Sequence, residues 1–365
     1  MGDSVKEQFA YEKIYSELLN AILSGELPAG SMLPPETQLA EQYGVSRITS
    51  RRALNMLAQG GYVVRHPGKG TQVVEEPKKV KTIGLVLANF GELFGTGIVK
   101  GVFRGAGQKG YLVIMQTDYF LGIHEEKRIQ ELLTAGVKGI INVPLYESGR
   151  YNEFYETLTQ KLPVVFADRE LVGMDVPVIC TDNMASTKML CYKLYELGHR
   201  NIAFVSSNAK STAVQERLYG YREFCGTVGI PEKGRVEYTK VRSVLPGMHR
   251  DDVAKWDIEE LCILLKEQRH ITAIVAHTHE VALLVCEAIR RLGKTVPEDY
   301  SVACFDSPDS TAQRSQFSHI RQDELTMGMK AAECLIKMIE GQPVEQKTYV
   351  SGIYVDGNST GKPRF

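Results

Sequence analysis

The chain has 365 residues, which is long enough for two or three compact domains. It is 43% hydrophobic and 24% charged, and this ordinary composition excludes disordered, collagen-like and coiled-coil proteins. The formal net charge is −1, so binding to nucleic acid or to a membrane would require a local charged patch.

The sequence predicts neither secretion nor membrane insertion. The N-terminal segment carries acidic residues and lacks an apolar core, unlike a signal peptide. No apolar run approaches the roughly 18 residues that a membrane span needs. The seven cysteines are odd in number, and the nearest pair, Cys180 and Cys191, is 11 positions apart, which excludes CxxC zinc or redox motifs. We therefore expect a cytoplasmic protein with reduced cysteines and no membrane partner.

Residues 1–74 are predicted to form three helices followed by a β-hairpin. Apolar residues recur at helical spacing from Ile14 to Leu23. A short second helix is predicted over 36–43, and a third of about twelve residues begins after Ser46, the expected N-cap. Two short apolar runs then flank the letters HPGKG, which indicates a hairpin with a glycine turn. This order is typical of a winged helix-turn-helix domain.

The rest of the chain has a different pattern. A polar, proline-containing stretch, residues 75–81, is the expected linker. From Thr82 onward, eight short β-branched runs alternate with helical segments. Continuous apolar strands between amphipathic helices are typical of parallel sheets that are covered on both faces. Because residues 82–365 exceed one comfortable core, we expect an α/β domain with two lobes.

Basic residues of the first domain are concentrated after Glu41, where five cations and no carboxylate occur up to Val74. Arg47 and Arg51 are four positions apart and therefore share one face of the third helix, with Thr49 beside them. Arginine can pair there with phosphates or with guanine, and threonine can reach either kind of acceptor. A merely solvated basic helix is the alternative, but the glycine boundaries and the basic hairpin favour DNA binding.

The segment from Tyr11 to Val74 resembles the GntR-type winged helix along its whole length, with the elements LPxE, VSRxTxRxAL and GxGT in order. The resemblance implies that the second helix starts near the DNA backbone, that the third lies in the major groove, and that the hairpin approaches the minor groove or phosphates. Ile48 departs from the family, in which a polar residue is common at this position. The implied DNA-binding residues are Glu36, Thr37, Ser46, Arg47, Thr49, Arg51, Arg52, Gly68, Lys69 and Gly70.

The second domain carries none of the common enzyme motifs: no nucleophile elbow, HExxH, P-loop, or GxGxxG after its first strand. His277 and His279 have no evident third ligand nearby, so we predict neither a metal nor a cofactor. Parallel α/β sheets bind ligands at the carboxyl ends of their strands, and polar residues follow several strands here. A single Asp at a strand end usually caps a loop, but the repetition favours a binding site. Together with an aromatic face, such groups suit a sugar.

The stretch from Val176 to Ser207, followed by QERLYGYREF, resembles the core domain of the LacI family, which is itself similar to periplasmic sugar-binding proteins. The resemblance covers nearly all of residues 81–354. It implies a two-lobed, periplasmic-binding-protein-like type I fold. The sequence departs from the family at Thr278-His279-Glu280, where Asn-Asp is usual.

Carried over by position, the resemblance implies that Phe94 stacks on a sugar ring and that Asp168 and Arg169 clamp its hydroxyls. Arg217 would lie near the ring oxygen and anomeric centre, and Asp306 with Gln322 would complete the polar ligands. The full set of predicted effector-binding residues is Asn89, Phe90, Phe94, Asp168, Arg169, Arg217, Thr278, His279, Asp306 and Gln322. Trp256, the single tryptophan, is expected to pack or lie at the surface, with the binding site as the alternative.

The combination is similar to arabinose-responsive repressors of bacteria that share this fusion. It implies a sugar-responsive transcriptional regulator, not an enzyme, that binds double-stranded operator DNA as a homodimer. A monosaccharide between the lobes would close them and shift the heads away from their half-sites. Arabinose and fucose are the first sugars expected. Two alternatives stay open: a non-sugar effector such as a nucleobase, and activation in place of repression.

Overall fold

The computed structural model describes residues 2–74, 81–87, 94–117, 125–144, 152–209, 211–230, 235–245, 248, 250–308 and 316–364. The chain divides into two compact units, residues 1–80 and 81–365, which we call the head and the body. The expected linker, residues 75–81, lies outside the described residues except for Lys81, which belongs to the body.

The head contains the predicted three helices and antiparallel hairpin. Its elements are α1 Gly2–Ser24, α2 Glu36–Tyr43, α3 Arg47–Gln59, β1 Val63–His66 and β2 Gly70–Val73. Helix α2 ends at Gly44, whose φ of 64° lies in the left-handed region that favours glycine. Helix α3 is capped as predicted, because the hydroxyl of Ser46 accepts a hydrogen bond from the backbone N–H of Thr49 at 3.1 Å. Ile14, Leu54 and other apolar side chains form one buried core beneath these elements.

The body contains twelve described strands and eight described helices. The strands are β3 Thr82–Leu87, β4 Leu112–Gln116, β5 Ile140–Val143, β6 Val164–Ala167, β7 Val178–Thr181, β8 Ile202–Ser207, β9 Val236–Val241, β10 Ala273–Ala276, β11 Ser301–Phe305, β12 Ser318–Arg321, β13 Lys347–Val350 and β14 Ile353–Val355. The helices are α4 Thr96–Gln108, α5 Glu125–Thr134, α6 Asn152–Thr159, α7 Asn183–Glu196, α8 Thr212–Thr227, α9 Asp251–Glu267, α10 His279–Arg291 and α11 Glu324–Ile339.

These elements form two lobes, each built on one six-stranded sheet. The sheet of the first lobe has the order β13-β7-β6-β5-β3-β4 and is parallel throughout. The sheet of the second lobe has the order β14-β12-β11-β10-β8-β9, and only β14 is antiparallel to its neighbour. Helices cover both faces of each sheet, so each lobe has two hydrophobic clusters.

The eight strands that the sequence predicted are confirmed, but four others were not predicted. Strands β9, β13 and β14 lie at sheet edges and contain at most two buried residues each, and β12, with the letters SHIR, contains a single aliphatic residue. These four strands were not predicted because each lacks a continuous run of buried apolar residues. The prediction of parallel sheets is confirmed with the exception of β14.

The chain passes between the lobes three times in the described residues, and we call the three connections the hinge segments. They comprise residues 181–183, 321–324 and 350–353. As a result, α11 and β13 belong to the first lobe although they follow the second lobe in sequence. Helix α11 packs closely on α4, because Gly101 and Gly328 allow the two backbones to meet. A Cβ on Gly101 would lie 2.2 Å from the carbonyl oxygen of Leu325.

Two further sequence predictions concern the cysteines and the absence of membrane spans. The seven cysteines are free, and five of them are buried. In the described part of the chain, no helix is long and apolar enough to cross a membrane.

Candidate functional site

The predicted DNA-binding residues of the head lie on α2, α3 and the hairpin turn. Arg47 and Arg51 are exposed on α3, and Ile48 between them is 78% exposed. Thr37, Gly68, Lys69 and Gly70 are also exposed. The structure therefore presents the start of α3 and the tip of the hairpin to solvent, as a groove-binding surface requires.

Glu36 is engaged within the head. Its carboxylate accepts a 3.1 Å hydrogen bond from Nε of Arg51 and another from the guanidinium of Arg65, which also contacts Asn55. Partial burial alone would raise the pKa of Glu36, but hydrogen bonds and charge from Arg65 and Arg51 lower it. The carboxylate thus orients two arginines, one on α3 and one on β1. Sequence spacing could not reveal this contact, because Arg65 is 29 residues from Glu36.

Three further predicted residues also have partners inside the head. The hydroxyls of Ser46 and Thr49 are 2.8 Å apart, and Thr49 is only 5% exposed. The guanidinium carbon of Arg52 lies 3.9 Å from the ring centroid of Tyr11 on α1, in cation–π geometry. The structure thus gives Thr49 a capping contact and Arg52 a packing contact. Their DNA contacts stay predictions.

In the body, two aspartates directly follow strands, as predicted. Asp168 follows β6 in the first lobe, and Asp306 follows β11 in the second. Their φ angles are 68° and 55°, and they are the only non-glycine residues with positive φ in the described part of the chain. Asp tolerates this left-handed conformation better than most residues, at a cost of about 1 kcal/mol. Strained backbone of this kind is concentrated at functional sites.

Asp306 is connected to two hinge segments by hydrogen bonds of the Gln322 side chain. The side-chain amide of Gln322 donates to its carboxylate at 2.8 Å, and the Gln322 side-chain oxygen accepts from the hydroxyl of Thr181 at 2.7 Å. Burial raises the pKa of Asp306 to about 6, although Arg217 and Gln322 act in the opposite direction. The sequence predicted Asp306 and Gln322 but not Thr181.

Arg217 lies on α8 and is buried beside the same strand ends. Its Nε donates to Oδ1 of Asn183 at 2.8 Å, and Nη1 donates to the carbonyl of His277 at 2.6 Å. Its guanidinium carbon also lies 3.8 Å from the ring centroid of Phe305. Burial lowers the pKa of Arg217, and the charges of Asp306 and Asp168 oppose that shift. Arg217 therefore links these carboxylates electrostatically across the two lobes.

The predicted Asp168-Arg169 clamp is an ion pair between neighbours. A guanidinium nitrogen of Arg169 lies 2.8 Å from the Asp168 carboxylate. Asp168 is 4% exposed, whereas the Arg169 side chain is 30% exposed. The pair therefore reaches solvent only through its cationic member.

A cavity of about 460 Å³ lies at the hinge, and we call it the hinge cavity. Three predicted effector-binding residues line it: Phe94, Asp306 and Gln322. The other lining residues are Thr96, Gly97, Ser307, Pro308, Arg321, Asp323, Glu324, Leu325 and Ile353. Asp168, Arg169 and Arg217 do not line it. Asn89 and Phe90 lie outside the described residues.

Thr278 and His279 have local roles in the structure. The Thr278 hydroxyl accepts from the backbone N–H of Val281 at 3.4 Å and caps α10. The ring of His279 packs edge-on against Phe317, with 5.3 Å between the centroids. Neither residue lines the hinge cavity. The neighbouring His277 was not in the predicted set, yet its Nε2 lies 3.2 Å from the hydroxyl of Ser207, and burial together with Arg217 lowers its pKa to about 3.

A larger cavity of about 640 Å³ lies elsewhere in the second lobe, beside α10. It is lined by Cys286, Ile289, Arg290, Lys294, Thr295, Val296, Gln316, Phe317, Asn358 and Ser359, and holds no predicted effector residue. Trp256 lines neither cavity. It is 37% exposed, and the guanidinium carbon of Arg242 lies over its ring, 4.0 Å from the ring centroid. Within the described residues, no group of three His, Cys, Asp or Glu side chains could hold a metal ion.

Comparison with known proteins gives two matching family models. The model for bacterial regulatory proteins of the gntR family matches residues 10–73, and the model for a periplasmic binding protein-like domain matches residues 192–360. The arabinose metabolism transcriptional repressor of Geobacillus stearothermophilus is 29% identical over 349 residues, which cover 92% of this chain and 93% of that protein. A protein of the same description from Halalkalibacterium halodurans is 25% identical and covers 92% of this chain and 89% of its own.

Among solved structures, a LacI transcriptional regulator from a Rhodococcus species matches with a TM-score of 0.64 and 22% identity. The match covers 77% of this chain and 99% of that structure, and it shows the fold of the body. The chain therefore joins a winged helix-turn-helix head, which matches the gntR family of bacterial regulatory proteins over residues 10–73, to a periplasmic-binding-protein-like body with the fold of LacI-type regulators.

Proposed function

We propose that this protein is a sugar-responsive transcriptional repressor, which binds operator DNA through its head and releases it when a small carbohydrate binds to its body. The observation that carries the proposal is the pair Asp168 and Asp306. Asp168 is buried and Asp306 is partly buried, and each lies with left-handed backbone at the carboxyl end of a parallel strand in a different lobe. Ligands of open α/β sheets bind at such strand ends.

The side chains around these two aspartates suit the hydroxyls of a monosaccharide. Carboxylates accept hydrogen bonds from hydroxyls, and the Gln322 amide and the Arg169 guanidinium can donate them. Phe94 in the hinge cavity adds an aromatic face for the C–H side of a sugar ring. Relatives that are named for arabinose metabolism make arabinose the first sugar to test. Fucose is the second, because it shares much of the ring configuration of arabinose.

The head supplies a compact DNA-binding surface, and two copies are needed for strong binding. A single winged helix has few base-contacting side chains, so we expect a homodimer that reads two half-sites. DNA binding places the protein in the bacterial cytoplasm. With a DNA-binding head and a ligand-binding body, its action is regulatory and not enzymatic.

We expect effector binding to be coupled to DNA binding by movement of the lobes about the hinge. A sugar that contacts Asp306 also acts on Gln322 and Thr181, which belong to two hinge segments. If the sugar binds the closed lobes more tightly, it shifts the population toward them. A coupling free energy of about 1–3 kcal/mol would weaken operator binding by roughly 5- to 150-fold.

The experiment is a thermal-shift panel of neutral monosaccharides, sugar phosphates and nucleobases on the purified protein. A pentose or 6-deoxyhexose should stabilise the body by about 2.7 kcal/mol at 100-fold its Kd. Asp168→Ala should abolish that shift, whereas Asp252→Ala, an exposed aspartate on α9, should keep it. A nucleobase shift in place of a sugar shift, or an unchanged sugar response in folded Asp168→Ala, would refute the sugar assignment.

A further inference from the structure

The carboxylate of Glu324 lies against the amino terminus of α4. One oxygen, Oε2, accepts backbone hydrogen bonds from Gly97 at 2.8 Å, Gly95 at 3.1 Å and Ile98 at 3.3 Å. Glu324 is the first residue of α11 and follows the hinge segment that contains Gln322. The carboxylate thus bonds a helix terminus that lies 226 to 229 residues earlier in the chain.

The local backbone is shaped for this contact. Gly95 has a φ of 96°, which most residues with a side chain avoid. A Cβ on Gly97 would lie only 2.5 Å from Cβ of Glu324. A side chain at position 97 would push the carboxylate away, and one at position 95 would disfavour the backbone conformation that the contact uses.

A helix amino terminus is a ready anion site, because its free N–H groups and the helix dipole both favour negative charge. The terminus of α4 lines the hinge cavity through Thr96 and Gly97. Phosphate groups of ligands commonly bind at such a position. Here the carboxylate of Glu324 already holds three of these N–H groups.

The remaining charge of the hinge cavity also opposes an anion. Its described lining includes three carboxylates, those of Asp306, Asp323 and Glu324, but one guanidinium, that of Arg321. Like charges in a partly buried site repel more strongly than they do in water. An anionic ligand would therefore have to displace Glu324 from α4 and face two further carboxylates.

We infer that Glu324 determines effector specificity by excluding phosphorylated and other anionic sugars from the hinge cavity, so that the effector is a neutral sugar. That the ligand is an effector and a sugar rests on the proposed function. The claim that Glu324 blocks an anion site at α4 stands on the geometry alone. The hydroxyls of a neutral sugar can still form hydrogen bonds with Asp306 and Gln322, which line the same cavity.

The test compares neutral and anionic probes by isothermal titration calorimetry on the full-length protein. The probes are arabinose, arabinose 5-phosphate and inorganic phosphate. Wild type should bind arabinose at least about tenfold more tightly than its phosphate ester. Glu324→Gln keeps an acceptor for the N–H groups but removes the charge, so it should bind the ester about tenfold more tightly than wild type does and arabinose within about threefold.

Two further variants complete the design. Glu324→Ala frees the N–H groups of α4 and should be stabilised by millimolar inorganic phosphate, unlike wild type. Glu333→Gln removes a charge from an exposed position of the same helix and should behave as wild type does. Wild type that binds the phosphate ester as tightly as arabinose, or a Glu324→Gln variant with an unchanged preference, would overturn the inference.

The outcome separates the inference from the proposed function. If arabinose does not bind wild type, inorganic phosphate still decides the role of Glu324. Stabilisation of Glu324→Ala but not of wild type by phosphate supports the blocked anion site. Equal behaviour of the two proteins in phosphate refutes it, whatever the effector is.

Discussion

The hydroxyl of Thr181 donates a 2.7 Å hydrogen bond to the side-chain oxygen of Gln322, and this bond joins two of the hinge segments. The other end of the Gln322 side chain donates to Asp306 at 2.8 Å. Both side chains of the Thr181–Gln322 pair are buried. A ligand that binds Asp306 therefore acts on the connections between the lobes without an intervening element.

A second link between the lobes is ionic and lies outside the hinge cavity. Lys347 in β13 of the first lobe contacts Glu170 of the same lobe at 3.1 Å and Glu216 of α8 in the second lobe at 2.9 Å. Glu216 also accepts a hydrogen bond from Asn183, which in turn accepts from Arg217. The ion pairs of Lys347 are thus connected to Arg217, a predicted effector-binding residue, through the side-chain amide of Asn183.

Lys347→Met should loosen the approach of the two lobes, because Glu170 and Glu216 then repel each other. We expect effector affinity to fall by about fivefold, which corresponds to about 1 kcal/mol of coupling. Calorimetry with the effector measures it. Lys337→Met is the matched control, since Lys337 pairs with Glu333 within α11 alone. Equal effector affinity in Lys347→Met and wild type would show that the ionic link does not contribute.

The raised pKa of Asp306 predicts a pH-dependent stability. Its pKa is about 6 in the folded protein against 3.8 ordinarily, chiefly because of burial. Between about pH 4 and pH 6 the folded state holds a proton that the unfolded state has released, so the free energy of unfolding falls as pH rises through this window. Above this window both states are ionised and the destabilisation is constant, at about 2–3 kcal/mol.

Asp306→Asn removes this ionisation and keeps a side chain that tolerates φ near 55°. We expect the variant to be more stable than wild type at pH 7, by about 2 kcal/mol, and to bind effector more weakly. Urea unfolding between pH 4 and pH 7 measures the difference. A variant whose stability declines with pH as steeply as that of wild type would refute the assignment of this titration to Asp306.

The packing of α4 on α11 predicts opposite effects for two glycines of one helix. Gly101→Ala places a methyl group 2.2 Å from the carbonyl oxygen of Leu325 and 2.8 Å from the backbone nitrogen of Met329. We expect a loss of about 3 kcal/mol, because neither backbone can yield without moving a helix. Gly107→Ala meets no atom within 4 Å and should stabilise by about 0.5–1 kcal/mol. Thermal unfolding in which both variants shift in the same direction would contradict this packing.

The exposed start of α3 predicts the DNA contacts that matter most. The guanidinium of Arg47 has no hydrogen-bonded or ionic partner in the described head, unlike that of Arg51. Arg47→Ala should weaken specific DNA binding by about 1–3 kcal/mol and leave effector affinity unchanged. Lys13→Ala, on the exposed side of α1, is the control. Fluorescence anisotropy with selected operator DNA distinguishes the two, and equal losses in both variants would refute a recognition role for Arg47.

The sequence predicted the elements that carry strong local signals. Helix α2 was predicted with its observed bounds because Pro35 and Gly44 flank it, and the eight apolar strands are continuous runs. Strand β13 was not predicted, since its letters KTYV include a single buried residue. An edge strand with one buried position lacks the periodicity on which such predictions depend.

The candidate site was predictable where a residue directly follows a strand, as Asp168 and Asp306 do. Thr278 and His279 follow β10 as well, but Thr278 caps α10 and His279 packs on Phe317. The role of Glu324 was not predictable, because it depends on the approach of α11 to α4 across more than 220 residues of sequence. Contacts of this range leave no local pattern.

The measurement that tests the account most directly is operator binding with and without sugar. Genomic DNA fragments selected by the purified protein are titrated by fluorescence anisotropy, in the presence of each neutral sugar that binds the body. The account predicts that one sugar weakens DNA binding by roughly 5- to 150-fold. Asp168→Ala should bind the same DNA with wild-type affinity but no longer respond to that sugar. A sugar that binds the body and leaves DNA affinity unchanged would contradict the account.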